Sequence, residues 1–208
     1  MRLPDPPILL ISDRKRAKAP LVEELVAAVV GGCRWIMLRE KDLGEAEAAE
    51  LLAALQAAFK GDDVCLTVNS AVGLAASCKL AGVHLPAAGS VATARRALGP
   101  AALIGQSAHS QAAVARAAGA GADYATISPV FSSISKDDSR PTLGVAGLAA
   151  AVAASGLPLI ALGGVSQENA AACRRTGAAG VAVLGAVIGQ ASPADAMASV
   201  IKAWREAR

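Results

Sequence analysis

The stretch TLGVAGLAAAVAASGLPLIALGGV, from Thr142 to Val165, contains no charged residue, and its reading decides the fold. A run of this length and apolarity suits a membrane-spanning helix as well as a soluble α/β unit. Gly147, Gly156, Pro158, Gly163 and Gly164 interrupt it. Proline removes a backbone donor and glycine weakens a helix interior, so the spacing predicts a helix followed by a short strand. The strand is the apolar run Leu157–Leu162.

The same alternation extends in both directions. Apolar runs of strand length occupy Ile8–Ser12, Trp35–Arg39, Val64–Val68, Gly82–Leu85, Ala102–Gln106, Asp123–Ser128, Leu157–Leu162 and Gly180–Leu184. Most are apolar throughout, which a sheet buried on both faces requires. Candidate helices lie between them, among them Leu21–Val30, Glu45–Phe59, Gln111–Gly119, Gln167–Thr176 and a closing helix, Pro193–Arg208. In the second, Leu51, Leu52 and Leu55 form an apolar stripe beside Glu47 and Glu50. Eight βα repeats predict a (β/α)8 TIM barrel, and 208 residues is enough for one as a single domain over residues 1–208. An open doubly wound sheet is the rival, but no GxGxxG follows the first run.

Composition narrows the function. A net charge of +3 and 2% aromatic residues exclude a nucleic-acid surface built from clustered cations and stacking rings. The most basic run, Arg14-Lys15-Arg16 with Lys18, reads as a solvated loop. Cys33, Cys65, Cys78 and Cys173 lack metal spacing and read as reduced thiols. With no membrane segment and a first apolar run, Ile8–Ile11, too short for a signal peptide, the expectation is a soluble cytoplasmic protein. Barrels of this kind often pair, so a homodimer is an open expectation.

In a barrel the chemistry sits on the loops after the strands. Those positions hold Arg39, Glu40 and Lys41 after the second run, Asn69 and Ser70 after the third, and Ser107 and His109 after the fifth. Pro129, Ser133, Ser135 and Lys136 follow the sixth, Gly163 and Gly164 the seventh, and Gly185 the eighth. Arg39, Lys41 and Lys136 suit phosphate or carboxylate groups on a substrate. Gly163, Gly164 and Gly185 let backbone N–H groups approach a phosphate. His109 is of the residue type suited to proton transfer near neutrality, and Ser110 is available to cap the following helix. His84, within the fourth run, reads as a hydrogen-bonded wall residue. Carboxylates are scarce at this face, so a magnesium site of paired acids is not evident. The polar Ser132–Thr142 segment is the best candidate for a lid that carries Lys136.

Several of these stretches together resemble the thiamine-phosphate synthase/TenI superfamily. They are Leu38-Arg39-Glu40-Lys41, Val68-Asn69, Gly82-Val83-His84-Leu85, Gly105 to His109, Gly121 to Tyr124, Pro129-Val130-Phe131 with Ser133, Ser135 and Lys136, Leu162 to Val165 with Asn169, Gly177-Ala178, and Gly180 to Val183. The resemblance implies a (β/α)8 barrel acting on a phosphorylated thiazole in thiamine biosynthesis. Two chemistries belong to it. Synthases join a pyrimidine diphosphate to a thiazole phosphate with magnesium; TenI-type tautomerases aromatise a carboxylated thiazole phosphate by moving a proton, without a metal.

The resemblance also implies what has changed. Synthases place glutamine at Met37, magnesium-binding aspartates at Ser70 and near Gly89, and a phosphate-binding serine at Gly185. The segment His84-Leu-Pro-Ala-Ala-Gly-Ser90 looks more like the TenI type. The stretch from Ser107 to Ser110 resembles a TenI stretch whose histidine is catalytic, but synthases often carry a histidine there too, and the lost carboxylates discriminate better. The favoured expectation is therefore a cofactor-free thiazole tautomerase with His109 as proton carrier. Arg39, Lys41, Asn69, Ser107, Ser133, Ser135, Lys136, Gly163, Gly164 and Gly185 would bind the substrate. A magnesium-dependent synthase, with Asp13 or Asp42 as new metal contacts, comes second, and a non-catalytic thiazole-phosphate-binding protein third.

Overall fold

The computed structural model describes residues 3–132 and 141–207. Eight parallel strands, β1 (Ile8–Ile11), β2 (Trp35–Leu38), β3 (Cys65–Asn69), β4 (Gly82–Leu85), β5 (Leu103–Ala108), β6 (Tyr124–Ile127), β7 (Leu159–Leu162) and β8 (Gly180–Val183), form a closed barrel. Each pairs with the next, and β8 returns to β1 in the register Leu9 to Ala182. The helices that follow are α1 (Leu21–Val30), α2 (Glu45–Ala58), α3 (Val72–Ser77), α4 (Val91–Leu98), α5 (Gln111–Gly119), α6 (Gly144–Ala153), α7 (Ala170–Arg175) and α8 (Pro193–Glu206). The expected (β/α)8 barrel is the observed fold. Among the described residues no helix is long and apolar enough to cross a membrane.

The uniformly apolar strands follow from having two buried faces. Leu9, Ile11, Trp35, Met37, Leu103, Tyr124, Ile160 and Ala182 pack together inside the barrel. Their strand neighbours, such as Ile8, Leu10, Ile36 and Leu38, join Leu25, Leu52, Leu148 and Trp204 of the helices in the outer core. The interior is thus a filled core. Trp35 and Tyr124 meet edge to face with ring centroids 4.9 Å apart. Gly105 is required beside them, because a Cβ there would stand 2.0 Å from Tyr124 Cζ.

Three helices, α4, α5 and α8, begin on serine caps. The hydroxyls of Ser90, Ser110 and Ser192 accept from the N–H groups of Thr93, Ala113 and Asp195, and Pro193 occupies the first turn of α8. Expected boundaries differ from the observed ones at a few points. β5 continues to Ala108, which puts Ser107 within the strand rather than after it. β7 begins at Leu159, past Pro158, which lacks a ladder donor. In α2, Leu52 and Leu55 are buried, whereas Leu51 is only partly so. Cys33 and Cys173 are buried thiols; Cys65 and Cys78 are partly exposed.

Candidate active site

The carboxyl ends of the strands bring the candidate residues to one mouth. Its first wall is a lock between the loops after β1 and β2. Ser12, fully buried, donates from Oγ to Glu40 Oε1 at 2.6 Å and accepts from Arg39 N at 2.9 Å. Glu40 Oε2 accepts from Arg14 N at 3.0 Å. Arg14 Nη2 and Lys15 Nζ reach Asp42 Oδ2 at 2.7 and 3.0 Å. The Lys15 hydrogen bond, with help from the Arg14 charge, holds the Asp42 carboxyl below its usual range. The basic run is exposed, as a solvated loop would be, and Arg14 and Lys15 are in addition paired with the neighbouring loop.

With Glu40 and Asp42 occupied, Arg39 and Lys41 have no carboxylate partner among the described residues. They line a cleft of about 400 Å³ together with Asn69, so three expected binding residues do converge. Asn69 Nδ2 donates to Ser70 Oγ at 2.9 Å, and Ser70 adopts a positive φ of 67°. Such backbone in a residue other than glycine costs energy and is common at functional loops.

Deeper in the mouth lies a neutral polar network. His84 Nδ1 is 3.1 Å from Tyr124 Oη, and its Nε2 is 3.0 Å from Ser107 Oγ and 3.3 Å from Thr126 Oγ1. Complete burial, followed by the charge of Arg39, pushes the imidazole down to about 4. His84 is thus the hydrogen-bonded wall residue expected, and it fixes Ser107.

His109 is exposed, and Ser110 caps α5 without it. Its Nδ1 lies 2.9 Å from the Ser128 carbonyl oxygen and 3.3 Å from Ser128 Oγ. A carbonyl only accepts, so Nδ1 carries the proton and Nε2 is the basic nitrogen facing solvent. That assignment needs only the loop after β6 beside the end of β5, a neighbour relation absent from the local sequence.

The loops after β7 and β8 offer backbone donors. Gly163 and Gly164 have φ of 97° and 62°, and a Cβ on Gly164 would lie 2.3 Å from Ser132 O. Their carbonyls are taken by Phe131 N and Asn169 Nδ2, while their N–H groups have no partner among the described residues. Gly185 is similar: its carbonyl accepts from Gln190 Nε2 at 2.7 Å, and its N–H is free within the same set. Ser133, Ser135 and Lys136, and most of the expected lid, lie outside the described residues.

The donor set does not fit magnesium. Ser70 follows β3, and the loop after β4 includes Pro86-Ala87-Ala88-Gly89, whose Pro86, Ala87 and Gly89 carbonyls are gathered by Gln106 Nε2. Magnesium is held by carboxylates with substrate phosphates, and neither position supplies one. Asp42, the expected substitute, is neutralised by Arg14 and Lys15. Asp13 Oδ1 accepts from Lys15 N within its own turn. No cluster of metal-ligating side chains occurs among the described residues.

Comparison with known proteins places this geometry in context. A family model described as thiamine monophosphate synthase matches residues 8–187. Thiamine-phosphate synthase of Methanoculleus marisnigri is 40% identical over 164 residues, covering 78% of each chain. That of Syntrophomonas wolfei is 35% identical over 184 residues, covering 88% of each. The solved thiamine phosphate pyrophosphorylase from Pyrococcus furiosus superposes with a TM-score of 0.86 at 28% identity, covering 96% of both chains. These names are those of the coupling enzyme, the second expectation, and not of the tautomerase.

Proposed function

Because this chain belongs to the thiamine-phosphate synthase/TenI family, we propose that it acts in thiamine biosynthesis on a phosphorylated thiazole, aromatising a carboxy-thiazolylidene ethyl phosphate by proton transfer. The observation that carries this reading is an open base at a mouth that holds no metal-binding set of acids among the described residues. His109 presents Nε2, and Ser70 and Gly89 stand where a metal-assisted reaction needs acids.

His109 Nε2 takes the proton from ring C2, and the electron pair of that bond enters the ring. The exocyclic double bond shifts and its outer carbon takes the proton back, so atoms and charge balance without a co-reactant. The Nδ1–H bond to Ser128 O steadies the imidazolium that forms between the two transfers. Arg39 and Lys41 face the substrate's anionic groups, and the N–H groups of Gly163, Gly164 and Gly185 suit the phosphate.

The relatives' names favour a second reading, a thiamine-phosphate synthase, and the joint cleft of Arg39, Lys41 and Asn69 also suits a diphosphate. One experiment separates the two. Wild type and His109→Ala are given the carboxylated thiazolylidene phosphate in EDTA, and ring aromatisation is followed by ultraviolet absorbance. Metal-free turnover abolished in the variant is the expected result. No turnover by wild type, with Mg²⁺-dependent diphosphate release from a pyrimidine diphosphate and a thiazole phosphate, would replace it with the synthase.

A further inference from the structure

Within the run Arg14-Lys15-Arg16, Arg16 is the one cation that the lock with Asp42 does not use. Arg14 and Lys15 both turn toward Asp42, whereas Arg16 has no carboxylate within ion-pair distance among the described residues. Its guanidinium instead lies across the barrel seam on Gly185. A Cβ there would stand 3.2 Å from Nη2, 3.4 Å from Nε and 3.5 Å from Cζ. The missing side chain at Gly185 is what lets the guanidinium lie against the loop after β8.

The geometry points to Arg16 as the side-chain ligand of the substrate's phosphate, closing the cup whose backbone donors come from Gly163, Gly164 and Gly185. This rests on the phosphorylated-thiazole reading above. The chemistry is complementary: free N–H groups supply directed hydrogen bonds, and a guanidinium adds full charge and a two-pronged donor set.

The arginine stands on a built platform. Arg16 N donates to Asp13 O at 3.1 Å, closing a turn. Its own carbonyl packs on Gly189, where a Cβ would be 2.3 Å away. Glu24, 3% exposed, ties the two loops together from below. Its Oε1 accepts from Lys18 N at 2.5 Å and Ala19 N at 3.1 Å, and its Oε2 accepts from Gly189 N at 2.8 Å. Glu24 is therefore a positioning residue: it holds the backbone that presents Arg16, and its carboxylate is consumed by three N–H groups instead of repelling an anion.

Calorimetric titration tests this with two probes, 2-(4-methylthiazol-5-yl)ethyl phosphate and inorganic phosphate, and with the unphosphorylated thiazole alcohol as reference. Wild type is compared with Arg16→Gln, Arg16→Lys and Lys18→Gln. Lys18→Gln removes the same charge from the same loop. Arg16 is exposed, and thermal melting of each variant checks that the fold is intact. Arg16→Gln is expected to weaken the phosphorylated probe about 10- to 100-fold, as loss of a charge-assisted contact implies. Arg16→Lys should recover part of that, Lys18→Gln should change it less than about threefold, and alcohol binding should not move. Phosphate binding that depends on Arg16, without thiazole-phosphate binding, would uphold the cup and overturn the thiazole reading. Unchanged affinity in Arg16→Gln, an equal loss in Lys18→Gln, or no phosphate binding by wild type would each overturn the assignment.

Discussion

Acidification should destabilise this barrel through His84, by an amount the structure sets. The imidazole is completely buried against Tyr124, Ser107 and Thr126, and its pKa falls from 6.5 to about 4. Above pH 6.5 the ring is neutral whether the chain is folded or not, and stability is indifferent to it. Between pH 6.5 and 4 the unfolded chain binds a proton that the folded one refuses, so stability falls with pH; below 4 the loss levels off. Linkage gives a loss of about 2 kcal/mol at pH 5 and about 3 kcal/mol at the plateau. Other groups contribute to acid unfolding, so the quantity to measure is a difference. Urea unfolding of wild type and His84→Gln at pH 7.5 and 5 isolates it, because the remaining groups are common to both. His84→Gln should be the less stable at pH 7.5, having lost ring packing and hydrogen bonds. That gap should close by about 2 kcal/mol at pH 5. A gap that stays constant between the two pH values would mean that His84 titrates normally in the folded state, and would refute the argument.

Further outcomes follow from the same geometry. His109→Ala should lower turnover by about 10²- to 10⁴-fold, the usual contribution of a general base, while circular dichroism and thermal melting stay at wild-type values. Gly105→Ala drives a methyl into the Tyr124 ring, and a thermal melt should report about 1–3 kcal/mol of lost stability, or more where the ring cannot move. Glu24→Ala strips the acceptor from Lys18 N, Ala19 N and Gly189 N; chemical denaturation should show a loss of about 2–4 kcal/mol, with faster amide exchange in the loops after β1 and β8.

The barrel was legible because its strands are buried on both faces. Apolar runs separated by alanine-rich segments mark β1 to β8 within one or two residues, and α1 and α5 coincide with their expected spans. The misplacements have local causes, such as Pro158 delaying β7 and pairing with β6 carrying β5 on to Ala108. At the mouth, the strand-end rule located Arg39, Lys41, Asn69, His109 and the glycines from residue type alone. It passed over Arg16, because nothing local in a run of three basic residues shows which one lies against Gly185. Ser12 and Glu24 were invisible for the same reason: their roles are hydrogen bonds to distant chain.

Periodicity and strand-end chemistry are local properties, and they sufficed for the fold and for bringing Arg39, Lys41 and His109 to the mouth. The division of labour among the cations was not local. Asp42 occupies Arg14 and Lys15, leaving Arg39 and Lys41 to the cleft, and barrel closure sets Arg16 against Gly185, far away in the chain. Likewise the Ser128 carbonyl assigns the proton on His109, and the Tyr124 layer keeps His84 neutral. Charge pairing, desolvation and tautomer choice depend on which groups lie within a few ångströms, and here the order of strands around the closed barrel decides that.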